Sequence, residues 1–217
     1  ATTVTGADGL LHVDTVQAAC AAAPGDIAGI MVTNPSTIGL FEEELGAISQ
    51  VVHEAGGLCY MDGANLNALL GKVRPGEVGI DCMHINLHKT FTTPHGGGGP
   101  GCGPVGVVER LAPYLPTPTV EKTDEAFTLR YDNPKSVGRL RSYFGNFGMM
   151  VRALTYIREM GGKGLTQATE MAVLNANYLL ARLRELCGED LPLAFGERCM
   201  HEFVLSATPL KKATGVR

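Results

Sequence analysis

The chain has 217 residues, 45% of them hydrophobic, and its 18 Lys and Arg against 22 Asp and Glu give a formal charge of -4. This length and apolar content can build one substantial core. Because neither sign of charge forms a long block, the composition argues against a nucleic-acid or membrane-surface partner and favours a small organic substrate or a protein partner.

The six cysteines form no CxxC pair, so the sequence predicts neither a zinc knuckle nor a disulfide framework. Reduced core thiols of this kind are typical of the cytosol. No apolar run approaches the ~18 residues that a membrane span needs, and no signal segment is recognisable. Residue 1 is not Met and the sequence stops soon after a predicted strand at 202–206, so we expect a longer parent polypeptide.

The first elements in chain order are two strands with a helix between them. "DIAGIMVTNP" (26–35) is an apolar run that ends in an Asn-Pro turn signal, and it predicts a strand buried on both faces. A helix ending near Gly56 is predicted by apolar residues at helical spacing, namely Phe41, Leu45, Ile48 and Val52. Strands follow at 58–62 and 80–87. This order is typical of a βαβ unit, so we expect an α/β fold with parallel strands.

The second half of the chain reads as mostly helical. "GPVGVVE" (103–109) predicts one more strand, and the Pro-rich stretch 112–120 predicts a rigid surface connection. The pattern turns helical from about residue 140. A long helix at 166–188, capped by Gly188, is predicted from an apolar stripe of Ala172, Ala176, Leu179, Leu183 and Leu186.

Polar residues follow three of the predicted strands. Thr33 and Asn34 end the first, Asp62 ends the second, and His88 and Lys89 follow the third. Because active residues of parallel sheets gather at the carboxyl ends of the strands, we expect these side chains to share one edge.

Lys89 stands between an apolar strand and the glycines of 96–99, where its amine can be partly desolvated and become nucleophilic toward a carbonyl group or pyridoxal phosphate. Asp62 could pair with the pyridine nitrogen of that cofactor, a partner that an ordinary Schiff-base aldolase does not need. Each residue also has a simpler interpretation. Lys89 can be a solvated loop residue, and Asp62 with Gly63 can be a turn or a helix N-cap.

The histidines predict no metal site. His84 and His88 are four apart on an apparent strand that leads into a loop, where this spacing does not bring side chains together. His53 reads as a surface residue near a helix C-terminus. His95 can be catalytic or a plain loop residue. The glycine run could wrap a phosphate, although GxGxxG spacing is absent.

Three motifs, "VTNPST", "MDGAN" and "NLHKTFTTPHGGGGPG", together with "LPTP", "RSYFGNFGMMVRALTYI" and "MHEFVL", resemble the P-protein of the glycine cleavage system, glycine dehydrogenase (decarboxylating). The resemblance implies a fold-type-I pyridoxal-phosphate-dependent transferase with a mostly parallel sheet flanked by helices. It implies that residues 1–163 form part of the cofactor-binding large domain. Residues 164–217 would hold the linking helix and the start of an α+β C-terminal small domain.

The same resemblance implies site residues. Lys89 matches the lysine that carries pyridoxal 5'-phosphate covalently, and Asp62 matches the partner of the ring nitrogen. Ala64 matches the small residue packed against the ring face. Asn34 matches a contact of the phenolic oxygen, a role for which Thr33 competes.

His88 matches a contact of the cofactor phosphate. The family's stacking residue and much of its phosphate cup lie upstream of the segment that this sequence matches.

The implied activity is the decarboxylation of glycine, with transfer of the aminomethyl group to the lipoyl arm of an H-protein. The implied assembly is a homodimer or a heterotetramer with a second P-protein subunit, in the cytoplasm or, in a eukaryote, the mitochondrial matrix. One alternative is another fold-type-I enzyme such as an aminotransferase or cysteine desulfurase, against which "TTPHGGGGPG" argues. A second is a non-catalytic association subunit, against which Lys89 argues.

Overall fold

The structure is a computed structural model that describes residues 2–215. Its α-helices are α1 (Val13–Ala22), α2 (Leu45–Glu54), α3 (Leu87–Thr90), α4 (Phe147–Cys187) and α5 (Thr208–Thr214). Its β-strands are β1 (Gly29–Thr33), β2 (Leu58–Gly63), β3 (Cys82–Ile85), β4 (Val105–Val107), β5 (Thr119–Lys122) and β6 (Phe127–Arg130). Short 3-10 turns lie at Leu66–Ala68, Pro75–Val78, Glu109–Tyr114 and Gly188–Asp190.

A four-stranded sheet in the order β1-β2-β3-β4 forms the centre of the fold. β1, β2 and β3 run parallel, and β4 pairs antiparallel with β3. The predicted α/β class and the mostly parallel sheet are confirmed. The sheet is mixed at this edge, because β4 runs antiparallel to β3 after the glycine-rich connection.

The main core lies between α2 and one face of the sheet. Leu45, Ile48 and Val52 of α2 are buried, and Gly56 follows the helix with a positive φ of 84°. Phe41 precedes the helix rather than opening it. The sheet contributes the alternating residues Val32, Cys59 and Met61, which are nearly inaccessible to solvent.

The opposite face of the sheet is open among the described residues, so the prediction that β1 is buried on both faces is wrong here. Met31 is 66% exposed and Val105 is 52% exposed on this side. An apolar run indicates that both faces of a strand can be buried, but it does not indicate which segment of the protein packs on each face.

The stretch 112–120 is only partly the rigid connection that its prolines predicted. A 3-10 turn occupies Glu109–Tyr114, and Thr119 already begins β5. β5 pairs antiparallel with β6 in a separate two-stranded hairpin, which was not predicted from the sequence.

The predicted long helix is confirmed as α4. It begins at Phe147, which is earlier than the predicted start at 166 and later than residue 140, where the helical pattern of the sequence begins. Asn146 caps it by accepting a hydrogen bond from the amide of Met149, and Gly188 ends it as predicted. Inside α4, Gly161 has a φ of 60° and a ψ of 178°, which marks a kink.

The predicted apolar stripe of α4 is partly wrong. Leu179 and Leu186 are 52% and 74% exposed, whereas Leu180 is buried. The helix turns Ala176 and Leu180 toward the tail of the chain, because Cys199, Leu193, Phe203 and Leu205 form a second small cluster against them.

The tail of the chain holds a single bridge rather than a full strand. Leu205 pairs antiparallel with Leu193, so the strand predicted at 202–206 is reduced to one pairing. The proposed division between residues 163 and 164 falls inside α4, and it stays a prediction. All six cysteines are free thiols. Among the described residues, no helix combines the length and apolar character needed to cross a membrane.

Candidate active site

A row of three polar residues lies at the carboxyl ends of the parallel strands. Thr33 of β1 is in register with Asp62 of β2, and Asp62 is in register with His84 of β3. Residues in register on neighbouring strands project from the same face of a sheet. All three are partly accessible. The predicted convergence of strand-end side chains therefore holds for Thr33 and Asp62, and it brings in His84.

Asp62 is held through one of its two carboxylate oxygens. Its Oδ1 accepts a hydrogen bond from the amide of Ala64 at 2.9 Å and lies 3.1 Å from Nε2 of His84. No described residue donates to Oδ2, and the side chain is 24% exposed. Asp62 is thus both the last polar residue of a strand and the start of a turn, and it keeps one oxygen available for a ligand.

Gly63 lets β2 and β3 approach closely beside Asp62. A Cβ at this position would lie 2.2 Å from the carbonyl oxygen of His84. Only glycine fits this approach, which explains the Asp-Gly pair without a cofactor role for the glycine itself.

Asn34 lies on the buried side of the Asn-Pro turn, away from the row of Thr33. It is 1% exposed, and its Oδ1 accepts the amide of Glu42 at 3.2 Å. Asn65 supports the same turn by donating to the carbonyl oxygen of Pro35 at 2.9 Å. The amide of Asn34 thus holds backbone in place, whereas Thr33 faces the Asp62 row.

Lys89 sits in the short helix α3, one turn after β3, with an exposed side chain. It lines a cavity of about 340 Å³ between α3 and α4, together with Asn67, His88, Thr90 and Tyr156. The amine therefore reaches a concave, polar space rather than a flat surface.

Three fully buried polar atoms at this cavity find no partner among the described residues. They are Nδ1 of His88, Oγ1 of Thr90 and Oδ1 of Asn67. Because these three atoms are closed off from solvent, a molecule in the cavity would reach them only after the side chains move.

The neighbours of His88 act on both its pKa and its ring. Burial lowers the pKa of His88, and His95 and Lys89 lower it further. Its ring contacts that of His95 edge to face, with centroids 4.7 Å apart. Nε2 makes a long contact of 3.5 Å with the side-chain nitrogen of Asn86, which leaves Nδ1 as the unpartnered atom.

The glycine run forms an open loop next to this site. Gly96, Gly97 and Gly98 have φ values of 66°, 62° and 97°, a region that favours glycine. The loop lines a cavity of about 620 Å³ whose other wall includes Arg141 and Tyr143.

The sequence analysis did not predict that His84 belongs to the row of Thr33 and Asp62, or that Tyr60 contacts this row. The hydroxyl of Tyr60 lies 2.7 Å from Nδ1 of His84. The alternation of β2 places Tyr60 on the face of Asp62, but the match to β3 depends on a register that the sequence does not give.

His53 was predicted to be a surface residue, but its ring contacts a buried carboxylate. Its Nε2 lies 2.7 Å from Oδ2 of Asp81, and the Sγ of Cys59 lies near both. Asp81 is already bound by the amide of Cys59 and by Arg110, so its oxygens are committed to protein partners.

Solved structures with the same fold define the class of the chain. It aligns over its whole length with 59% of a cysteine desulfurase from Thermococcus onnurineus NA1, at a TM-score of 0.62 and 16% identity. It also aligns with mouse CSAD (TM-score 0.62, 17% identity, 90% of this chain and 40% of that one). A third match is Oryza sativa TDC with PLP and tryptamine (TM-score 0.58, 16% identity, 91% and 39%). The chain has the fold of the fold-type-I pyridoxal-phosphate-dependent enzymes, as predicted.

Closer relatives narrow this class. The chain is 57% identical over 192 residues to a protein of Listeria monocytogenes serotype 4a and 56% identical over 192 residues to one of Pyrococcus abyssi. Both are named probable glycine dehydrogenase (decarboxylating) subunit 2, and the match covers 88% of this chain and 38% of each relative. No protein-family model matches. The chain is homologous to part of glycine dehydrogenase (decarboxylating) subunit 2, which confirms the resemblance.

Proposed function

We propose that this chain carries the cofactor site of a pyridoxal-5'-phosphate-dependent glycine decarboxylase. The parent enzyme would release CO2 from glycine and pass the aminomethyl group to the lipoyl arm of an H-protein. The names and identity of the relatives support the activity. The observation that carries the proposal is the free Oδ2 of Asp62 at the end of β2, on the strand next to the one that leads into Lys89.

Two observations support a site for this cofactor: Oδ2 of Asp62 has no donor among the described residues, and the Lys89 amine lines a cavity. Lys89 would hold it covalently through Nζ, Asp62 would bind the ring nitrogen through Oδ2, and Ala64, which is 8% exposed, would lie against the ring. His88 lines the cavity beside Lys89, which supports its role as a phosphate contact. When bound, pyridoxal phosphate supplies an electron sink for the pair of electrons left as CO2 departs.

Between the two candidates for the phenolic oxygen, the contacts favour Thr33. Thr33 is partly accessible and in register with Asp62, whereas Asn34 is 1% exposed. Asn34 would then act on the cofactor indirectly, by fixing the turn that follows Thr33.

The two cavities favour two different substrates, one of them small and the other an extended arm. The space of about 340 Å³ beside Lys89 suffices for an amino acid of glycine's size. The larger cavity beside the glycine loop has a wall of bare backbone, which would let the thin lipoyl arm approach. Association with further P-protein subunits belongs to the same proposal.

The test uses the polypeptide that contains this chain. Incubation with pyridoxal phosphate should produce the visible absorbance of a lysine-bound cofactor, and borohydride reduction followed by peptide mass analysis should locate it on Lys89. Lys89→Ala should lose both signals. Lys163→Ala, which changes an exposed lysine of α4, should keep them.

The reaction itself is tested by the release of labelled CO2 from carboxyl-labelled glycine. We expect release to require both Lys89 and a lipoylated H-protein. Covalent cofactor without glycine turnover would favour another reaction of the same fold, such as that of an aminotransferase or cysteine desulfurase. Absence of cofactor at Lys89 would refute the proposal and would favour an association subunit.

A further inference from the structure

We propose that Tyr60 and His84 are positioning residues that aim Asp62 at the ring nitrogen of a pyridine cofactor. This inference rests on the proposed function and deepens it. The chain of contacts runs from the hydroxyl of Tyr60 to Nδ1 of His84 at 2.7 Å, and from Nε2 of His84 to Oδ1 of Asp62 at 3.1 Å.

The sheet itself builds this chain of contacts. Tyr60 and Asp62 are two apart on β2 and therefore share a face, and His84 is the register partner of Asp62 on β3. The rings of Tyr60 and His84 also contact each other, with centroids 5.8 Å apart and planes at 31°. The imidazole of His84 therefore contacts Tyr60 both through Nδ1 and through its ring.

The direction of the hydrogen bonds follows from the phenol. Burial raises the pKa of Tyr60, and the nearby Cys82 and Asp62 raise it further, so the hydroxyl keeps its proton. A phenol that donates to Nδ1 leaves the proton of a neutral imidazole on Nε2, the nitrogen that lies 3.1 Å from Oδ1 of Asp62. Tyr60 thus sets the tautomer of His84.

The consequence for Asp62 is geometric. Oδ1 accepts a hydrogen bond from the amide of Ala64 and lies 3.1 Å from Nε2 of His84, whereas no described residue donates to Oδ2. Cys82, which faces Tyr60 in the register, does not compete as an anion, because burial and then Asp81 raise the pKa of its thiol. A carboxylate held in this way accepts a ring N–H without first having to reorient.

The first test reads the protein without cofactor. Nitrogen-15 NMR of labelled histidine should show His84 as the tautomer protonated on Nε2, and Tyr60→Phe should weaken that preference. A proton on Nδ1 in the unmodified protein would overturn the inference, whatever the cofactor-binding result.

The second test removes the ring nitrogen instead of the residue. Affinity for pyridoxal 5'-phosphate is compared with that for its 1-deaza analogue, in which CH replaces the nitrogen. His84→Leu should weaken binding of pyridoxal phosphate about ten-fold or more and leave binding of the analogue within about two-fold. His84→Gln, whose amide can donate from a similar position, should restore most of the loss.

A purely structural role predicts a different result. In that case His84→Leu would weaken both ligands equally, and this would overturn the inference. Tyr60→Phe gives an independent check, with a smaller loss that is again confined to pyridoxal phosphate. If the unmodified protein binds neither ligand, the proposed function fails and the positioning role fails with it, while the NMR result still reports on the hydrogen bonds themselves.

Discussion

Nε2 of His53 lies 2.7 Å from Oδ2 of Asp81, and this contact fastens helix α2 to the segment that enters β3. The same oxygen accepts the amide of Cys59 at 2.9 Å, and Oδ1 accepts a hydrogen bond from Arg110 at 2.5 Å. The Asp81 side chain is 5% exposed. One carboxylate therefore joins α2, β2, β3 and the 3-10 turn that contains Arg110.

We expect Asp81→Asn to lower the free energy of unfolding by about 1–3 kcal/mol, because the amide cannot accept from His53, Cys59 and Arg110 together. Urea unfolding at neutral pH measures the change. Asp124→Asn, which alters an exposed carboxylate in the β5–β6 hairpin, is the matched control and should change stability by no more than about 0.5 kcal/mol. Equal effects of the two substitutions would contradict the proposed role.

The Asp81 cluster also predicts a pH dependence. Burial acts to raise the pKa of Asp81, but the hydrogen bonds from Cys59, His53 and Arg110 outweigh it, so the pKa is lowered from its ordinary value of 3.8. Since the folded pKa lies below the unfolded one, this contribution is present above pH 3.8 and is lost as the pH falls through the folded pKa. The stability gap between wild type and Asp81→Asn should narrow on acidification, and a constant gap would argue against it.

Glu42 should show the opposite behaviour. It is 5% exposed, and burial raises its pKa although the amide of Leu11 donates to Oε2 at 2.9 Å. Its contribution to stability is therefore full below the ordinary value of 4.5 and is lost as the pH rises through the folded pKa. We expect Glu42→Gln, which keeps an acceptor for Leu11, to raise stability by about 0.5–1 kcal/mol at pH values above that range.

Thermal or urea unfolding at several pH values measures this effect. The gain from Glu42→Gln should shrink toward zero at acidic pH, where the native carboxyl is already neutral. Glu54→Gln at the end of α2 changes an exposed carboxylate and serves for comparison. A loss of stability at neutral pH would show that the charge itself is needed.

Asp62→Asn tests the candidate site directly. The amide should weaken pyridoxal phosphate binding by about ten-fold or more, because a hydrogen bond between charged groups is replaced by a neutral one. Equilibrium titration of the bound cofactor's absorbance measures the affinity. Asp26→Asn, an exposed carboxylate just before β1, should leave it unchanged. An unaltered affinity in Asp62→Asn would place the ring nitrogen elsewhere.

The sequence predicted those parts of the fold whose signal is local. The apolar runs of β1 and β2 and the spacing of Leu45, Ile48 and Val52 in α2 depend on neighbours within a few residues, and each was confirmed. The stripe of α4 was misplaced by one position, from Leu179 to Leu180. A helix of many turns offers several nearly equivalent apolar faces, and the distant Cys199 cluster decides which one is buried.

Prediction of the candidate site from local sequence has the same limit. Thr33 and Asp62 could be found because strand ends of a parallel sheet converge whatever the register. The pairing of Asp62 with His84 joins residues 22 positions apart and exists only in one register, since a slip by one residue would turn His84 to the other face. The burial of Asn34 could not be predicted from its place beside Thr33, because it depends on a contact with the backbone of Glu42.

Neighbouring glycines at the kink of α4 allow a matched comparison. Gly161 has a φ of 60° and a ψ of 178°, whereas Gly162 does not have a positive φ, and an added Cβ would meet no atom within 4 Å at either position. Steric clash is thus excluded for both, and only backbone conformation differs. Gly161→Ala should lower the free energy of unfolding by about 1–3 kcal/mol, because the conformation is essentially restricted to glycine.

Gly162→Ala should instead raise the free energy of unfolding by about 0.4–1 kcal/mol, since alanine reduces the freedom of the unfolded chain and suits a helix. Urea unfolding of the two variants under one set of conditions measures the difference, and circular dichroism at the helical band reports whether α4 straightens. Equal stabilisation by both alanines would mean that the kink is absent in solution. Because α4 connects the sheet-bearing part of the chain with the Cys199 cluster, a straight helix in Gly161→Ala should also weaken the packing of Leu180 against that cluster.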